Sequence, residues 1–389
     1  ARHSSDPQTP RTMRWKGLLG SLLCLALVAC STAFTAPSPV LATAEGKLSR
    51  SFKCAAPVHD HTTAGRVGGG RAALGGGRTA FSTLHMAAAS AEAEVDMQGK
   101  VCLVTGGNRG MGLMTARGLL SKGAHVIVTC RDAEGEERAA RKLKAFKLVK
   151  AGSSEAGTAA LVRCDFSSLS DVRRCAAELS AAYPSVDRVV ANAGVMATPY
   201  SKTDDGFESQ FQVNFLSQFL LVQLLQNSLK TSSRVILISS LSSEMASLGN
   251  QTLPSVATQE EATYDKMTAY RRSKLAQVMM ARELPKRMPG VEAYSVHPGI
   301  VATDLFFRGM PAWKKLLLKG LSKTLAMFGA VKSAKKGAAT ALFLCTAPDA
   351  KGDGRYWAES SEREGNPEAL DAALCAKVWD ESEKLLGSI

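Results

Sequence analysis

From Lys100 onward, short apolar, β-branched runs alternate with longer amphipathic stretches. This alternation narrows the possible folds more than any other feature of the chain. Period and turn signals predict strands over 101–105, 125–129, 160–164, 188–191, 234–239, 292–296 and 354–357. They predict helices over 111–120, 134–148, 169–182, 207–229, 269–286, 334–344 and 369–386. A strand as apolar as Val235-Ile236-Leu237-Ile238 needs cover on both faces. Strand–helix alternation with such strands implies a parallel sheet with helices on either side. The expectation is an α/β, doubly wound parallel sheet forming a single domain over 96–389, with no room for a separate substrate domain.

Residues 1–95 have a different composition. Arg14 and Lys16 precede the apolar run from Leu18 to Cys30, which ends on Ser31-Thr32-Ala33. With Met13 as initiator, this reads as a signal peptide; an uncleaved membrane anchor is the alternative. Between Phe34 and Ser90 the only acids are Glu45 and Asp60, against six cations in a Ser-, Thr- and Gly-rich stretch. That is a transit-peptide composition, and it is too polar to offset its chain entropy by burial. The expectation is a disordered or removed leader. Signal followed by transit segment, with Phe34 behind the break, resembles the bipartite leaders of algae with complex plastids, so plastid delivery is expected. A secreted protein with a flexible linker is the alternative, weakened by nine scattered cysteines with no disulfide pattern. They form no CxxC pair, so no metal site is expected.

The chain carries a formal net charge of +13. A basic balance can mark a nucleic-acid partner when it forms one stripe of a folded domain. Here the leader holds 10 basic and 5 acidic residues, and the remaining chain 38 and 30. No aromatic-interleaved or helical nucleic-acid motif accompanies the excess, so no nucleic-acid partner is expected. Eight cations and no acid lie between Leu305 and Pro348, interleaved with Trp313, Leu316, Leu317, Leu321 and Phe328. This pattern over 305–336 suits peripheral contact with an anionic membrane, or else an ordinary helix with a solvated lysine face.

The first predicted strand runs into Gly106-Gly107-Asn108-Arg109-Gly110-Met111-Gly112 at the start of a helix. Glycines there let a pyrophosphate approach the backbone, and the helix N-terminus supplies N–H donors and positive dipole. Arg131 ends the second strand. An acid at that place would favour NAD through the ribose hydroxyl, whereas an arginine suits the 2′-phosphate of NADP(H). Arg109 can close on the same phosphate; either can also be an ordinary surface arginine. Asp165, followed by Phe166, ends the third strand where it can meet adenine. Asn192-Ala193-Gly194 ends the fourth, where small residues admit a cofactor.

Tyr270 and Lys274 stand at i and i+4, on one face of a predicted helix. A neighbouring ammonium, with a cofactor pyridinium, is expected to lower the phenol pKa and equip Tyr270 for proton exchange with a carbonyl or hydroxyl. Ser239-Ser240 offers a hydroxyl nearby. Asn214 sits in an apolar helix, where it needs partners, and it can equally be a satisfied core amide.

TGGNRGMG, NAG at 192–194, Asn214, Ser240, YRRSK and HPGIVATD at 297–304 resemble, in order and spacing, the short-chain dehydrogenase/reductase family. The resemblance runs from about Gly99 to the C-terminus. It implies a Rossmann-type sheet and a catalytic tetrad of Asn214, Ser240, Tyr270 and Lys274. In it Tyr270 is the acid/base, Lys274 binds the nicotinamide ribose, Ser240 orients the substrate carbonyl and Asn214 holds a relay water. Pro298, Gly299, Val301 and Thr303 would flank the nicotinamide carboxamide. TCRD at 129–132, CDFSSL at 164–169 and SKLAQVMMAREL at 273–284 look like the retinol dehydrogenase branch. That implies an NADP(H)-dependent oxidoreductase with a lipophilic retinoid or isoprenoid-like substrate. Light-dependent protochlorophyllide reductases are similar to that branch. They carry cysteines where this chain has Ala276 and Ile300, and a longer insertion before the tyrosine. A non-catalytic NADP-binding scaffold is the third possibility, though such proteins usually lose a tetrad member.

Overall fold

A computed structural model describes residues 96–301 and 331–387. The leader expected over 1–95, Thr303 and the rest of 302–330 in the basic segment lie outside the described residues.

The chain opens on β1 (Val101–Val104), α1 (Gly110–Ser121), β2 (His125–Cys130) and α2 (Ala133–Lys142). It continues through β3 (Lys147–Val149), β4 (Thr158–Arg163), α3 (Leu169–Ala182) and β5 (Val186–Ala191). Next come α4, built of Ser209–Phe211, a π-helical turn Gln212–Leu216 and Ser217–Leu224, and then β6 (Leu229–Ile238). A 3-10 turn Leu241–Met245, short α5 (Leu253–Ala257) and a second 3-10 turn Glu261–Thr263 lead to the long α6 (Lys266–Arg287). The described chain ends with β7 (Glu292–His297), α7 (Ala334–Thr346), β8 (Asp353–Ala358), β9 (Ser361–Arg363), a 3-10 turn Pro367–Leu370 and α8 (Ala372–Leu386).

The nine strands of the described residues join one sheet in the order β3-β4-β2-β1-β5-β6-β7-β8-β9. Every pair is parallel except the closing β8–β9 hairpin. The strands are buried on both faces because they alternate between two cores. Leu103 and Ile127 face a core shared with α3, α4, α6 and α8. Cys102, Val104, Val126 and Val128 face the other, with α1, α2 and α7. The helices begin where a side chain can accept from the first turn: Asp132 from Gly135 N, Ser168 from Asp171 N, Asp265 from Thr268 N and Asp371 from Leu374 N.

The helix expected over 134–148 ends at Lys142, and Lys147–Val149 becomes an edge strand on β4. The helix buries little besides Gly135 and Ala139, so nothing apolar rewards its continuation. The helix expected over 207–229 stops at Leu224, because Leu229 is drawn into β6 opposite Val186. The terminal helix starts at Ala372 rather than 369, behind the 3-10 turn.

This strand order places the site. From β1 the chain winds outward through β2 to β4, then returns to β5 on the other side of β1. At such a switch point the loops leaving neighbouring strands part company, and a crevice opens at the carboxyl ends.

Candidate active site

A cleft of about 510 Å³ occupies that crevice. Its walls include Gly106, Asn108, Arg109, Gly110, Met111 and Gly112 behind β1, and Arg131 behind β2. Asp165 and Phe166 line it behind β4, and Asn192, Ala193 and Gly194 behind β5. These are the expected cofactor residues of the first four strand ends of the central sheet.

The glycines are needed sterically. Gly106 has φ +62° and an added Cβ would stand 3.0 Å from Ala193 Cα. A Cβ on Gly112 would strike Asn192 Nδ2 and lie 2.7 Å from Gly106 O. The two loops are laced together by Thr105. Its hydroxyl accepts from Asn192 N and Ala193 N, both at 2.8 Å, while Asn192 Nδ2 donates to Thr105 O at 2.8 Å. Thr129 Oγ1 accepts from Gly106 N at 3.1 Å. Thr105, directly after β1, and Thr129, next to last in β2, were not among the expected site residues. No side chain caps α1, and its first turn holds no acid. An uncapped N-terminus behind a close-approach glycine turn fits a dinucleotide pyrophosphate.

Arg131 is an exposed cleft residue whose guanidinium pairs with Asp132 at 2.9 Å. Asp132 in turn accepts from Gly135 N at 2.8 Å, and that bond first, then Arg131, holds its carboxyl below the usual range. Asp165 uses Oδ1 to accept from Ser167 N and Oγ at 2.9 and 2.7 Å.

Tyr270, Ser240, Lys274 and Asn214 gather where β6, α4 and α6 converge. Gly194 joins this group to the cleft. A Cβ there would lie 2.9 Å from Asn214 Oδ1 and 3.6 Å from Lys274 Nζ. Asn214 is fully buried and its amide is fully engaged. Oδ1 accepts from Val195 N at 2.7 Å, and Nδ2 donates to Val195 O at 3.0 Å and Ser273 Oγ at 2.9 Å. Its side chain thus pins the loop after β5 to α6, and it stands within the π-helical turn.

Of the adjacent serines, Ser239 donates to Lys274 O at 2.8 Å and is structural. Ser240 caps the 3-10 turn, accepts from Ser242 N at 3.2 Å and Ser242 Oγ at 3.0 Å, and faces the Tyr270 phenol, whose anion it favours. That turn is anchored from β8, because Tyr356 OH donates to Ser240 O at 3.3 Å and Glu244 Oε1 at 3.0 Å. Nothing in the sequence pattern marks Tyr356 for this task; only the pairing of β7 with β8 brings it there.

Tyr270 and Lys274 are both buried. Burial pushes the phenol up to about 12, only partly opposed by its bond to Ser240. Lys274 Nζ lies 5.8 Å from the ring centroid and is itself drawn down to about 7 by burial. Dehydration disfavours the charged form of each.

Pro298 and Gly299 follow β7, with Gly299 at φ +86° and its nitrogen donating to His297 Nδ1 at 3.1 Å. Val301 bridges to Lys332. Lys332, one of the eight cations of the basic segment, is bound to Glu359 at 3.1 Å and so does not belong to a free lysine face.

The sequence model of the short chain dehydrogenase family matches residues 100–309. Mouse retinol dehydrogenase 14 is 39% identical over 299 residues, covering 75% of this chain and 87% of that relative. Human retinol dehydrogenase 12 is 35% identical over 322 residues, covering 79% and 95%. Among solved structures, an uncharacterized protein from Mycobacterium paratuberculosis superposes with TM-score 0.57 at 28% identity, covering 75% of this chain and 95% of that one. An NADP active-site complex of RhlG from Pseudomonas aeruginosa does so with TM-score 0.50 at 27% identity, covering 68% and 96%.

Proposed function

This chain belongs to the short-chain dehydrogenase family, in its retinol dehydrogenase-like branch, and is an oxidoreductase of alcohol and carbonyl groups using a nicotinamide cofactor; for it we propose NADP(H)-dependent interconversion of a lipophilic carbonyl and its alcohol, with Tyr270 as acid/base. The observation that carries this reading is the convergence of Tyr270, Ser240 and Lys274 beside a cleft whose glycine turn admits a dinucleotide.

Bound in the cleft, the cofactor supplies or accepts the hydride. The chain's residues do the rest. The Gly106–Gly112 turn and the α1 N-terminus hold the pyrophosphate, and Arg131 with Arg109 receives a 2′-phosphate. The preference for NADP over NAD is supported by Arg131 behind β2 and by the NADP complex of the Pseudomonas relative. Lys274 holds the nicotinamide ribose. Ser240 donates to the substrate carbonyl. Tyr270, protonated at neutral pH because burial disfavours its anion, gives its proton to the carbonyl oxygen as the alcohol forms. Proton loss from Tyr270 then leaves a phenolate that Lys274 and Ser240 stabilise. A lipophilic substrate is supported by the retinol dehydrogenase relatives.

Tyr270→Phe tests the assignment. With NADPH and a panel of retinoid and apocarotenoid aldehydes, turnover should fall at least about a hundredfold, the usual scale of general acid catalysis. NADPH affinity should stay within about threefold, since the hydroxyl is only one of many cofactor contacts. Undiminished turnover would remove Tyr270 from the chemistry. Light-dependent reduction of protochlorophyllide in the same panel would replace the substrate class.

A further inference from the structure

The Lys274 ammonium is gripped from two sides. Its Nζ donates to Ile238 O at 2.8 Å and to Gln277 Oε1 at 2.9 Å. Gln277 lies nearly one turn further along α6 and is fully buried, and its amide nitrogen has no hydrogen-bond partner. A half-satisfied buried amide is costly, and an apolar side chain of the same length would fill the space without that cost. Packing therefore does not ask for glutamine here, whereas an acceptor for Nζ does.

The other groups around Nζ are neutral. Ile238 O comes from the end of β6, the Asn214 amide from α4 and Gly194 from the loop after β5. The titratable neighbour is Tyr270 on the same helix. Burial alone accounts for the shift of Lys274, with no charged side chain among the described residues contributing. An ammonium has three donors. Two are used, which leaves one for a group in the cleft that Gly194 lines.

We propose that Gln277 is a positioning residue of the active site: by accepting from Lys274 Nζ it fixes the ammonium beside Gly194 and reserves the remaining donor for the cofactor ribose. This rests on the reading of Lys274 as the ribose-binding group.

The test compares the unaltered chain with Gln277→Met, Gln277→Glu and Lys274→Met. Two pH dependences are followed: NADPH binding by nicotinamide fluorescence, and kcat for retinal reduction at saturating NADPH. Because cofactor binding reports the midpoint by itself, the test does not depend on retinal being accepted. Gln277→Met should move the midpoint of Lys274 to lower pH, because a hydrogen bond favouring the ammonium is lost. Gln277→Glu should raise it by about one unit or more, because a carboxylate replaces the amide. With retinal, kcat of Gln277→Met should fall at least about tenfold while KM changes less than about threefold, the pattern of a lost transition-state contact. Lys274→Met should lack the midpoint altogether.

A merely structural role would lower stability without moving the midpoint in opposite directions. Should Gln277→Met fail to fold, Gln277→Glu, which keeps shape and acceptor, carries the test. Midpoints identical in the unaltered chain and the Gln277 variants, with Lys274→Met lacking one, would overturn the role of Gln277 alone. A Lys274→Met profile identical to the unaltered chain would overturn the reading of Lys274 and this inference with it.

Discussion

Arg131 shows how far a single residue can be read. Its place behind the second strand made it a candidate for the 2′-phosphate, and it does line the cleft. Its pairing with Asp132, which caps α2, was not legible, because a capping acid next to an arginine looks like any polar turn. Arg131→Asp should weaken NADPH binding at least about tenfold, or ~1.4 kcal/mol, and NADH by far less. Equal loss for both cofactors in a fluorescence titration would remove the phosphate role. His297 carries a pH prediction. Burial first, then the Lys332 charge, holds its imidazole at about 4, against 6.5 ordinarily. The unfolded chain therefore takes up a proton below about 6.5 that the fold refuses until about 4. Stability should fall as pH drops through that window, by up to ~3 kcal/mol from this group. His125 is lowered by burial too and adds to the slope, so the measurement is a difference. In urea titrations at about pH 7 and about pH 4.5, on either side of most of that window, His297→Asn should lose less stability than the unaltered chain. Equal losses would mean that His297 is protonated in the fold.

Helices and strands were legible where their own side chains decide them, and illegible where a neighbour does. Helix α3 was expected over 169–182 and found there, because Ser168 caps it and its apolar positions recur at helical spacing. Edge strand β3 and the π-helical turn of α4 left no trace in the periodicity. β3 exists because β4 offers backbone partners, and the turn holds Asn214 against Val195. The terminal helix α8 is an amphipathic element that buries Cys375, Val378, Trp379, Ser382 and Leu386, of which Trp379 is the largest. Trp379 is buried, meets Phe219 of α4 edge-on at 4.8 Å and donates to Glu383 at 2.8 Å. Arg287 of α6 lies over the same ring at 5.8 Å. Trp379→Ala should cost ~3–5 kcal/mol in urea unfolding, the usual range for a large buried aromatic. A loss under ~1 kcal/mol would mean that α8 is not seated in this core.

For the molecule as a whole, strand alternation foretold a doubly wound sheet, and the single mostly parallel sheet with helices on both faces agrees. Of the net charge of +13, five units belong to residues 1–95 and eight to the rest of the chain. Among the described residues no helix is long and apolar enough to cross a membrane. Peripheral contact through 305–336 remains a proposal, narrowed by the engagement of Lys332 with Glu359. Replacing Lys314, Lys315, Lys319 and Lys323 by Glu should abolish any preference for anionic over zwitterionic vesicles in sedimentation, since each cation near such a surface contributes ~1 kcal/mol. An unchanged preference would assign it to another part of the chain. The sequence alone determined the class of fold, the glycine turn and the Tyr270–Lys274 spacing, because period, backbone freedom and helical geometry are local properties. Tertiary structure decided how those groups are charged and held. Burial raises Tyr270 and lowers Lys274, Gln277 and Ile238 grip the ammonium, and Tyr356 anchors the turn of Ser240. Dehydration and cross-strand contact are set by residues far apart in the chain, and no local pattern encodes them.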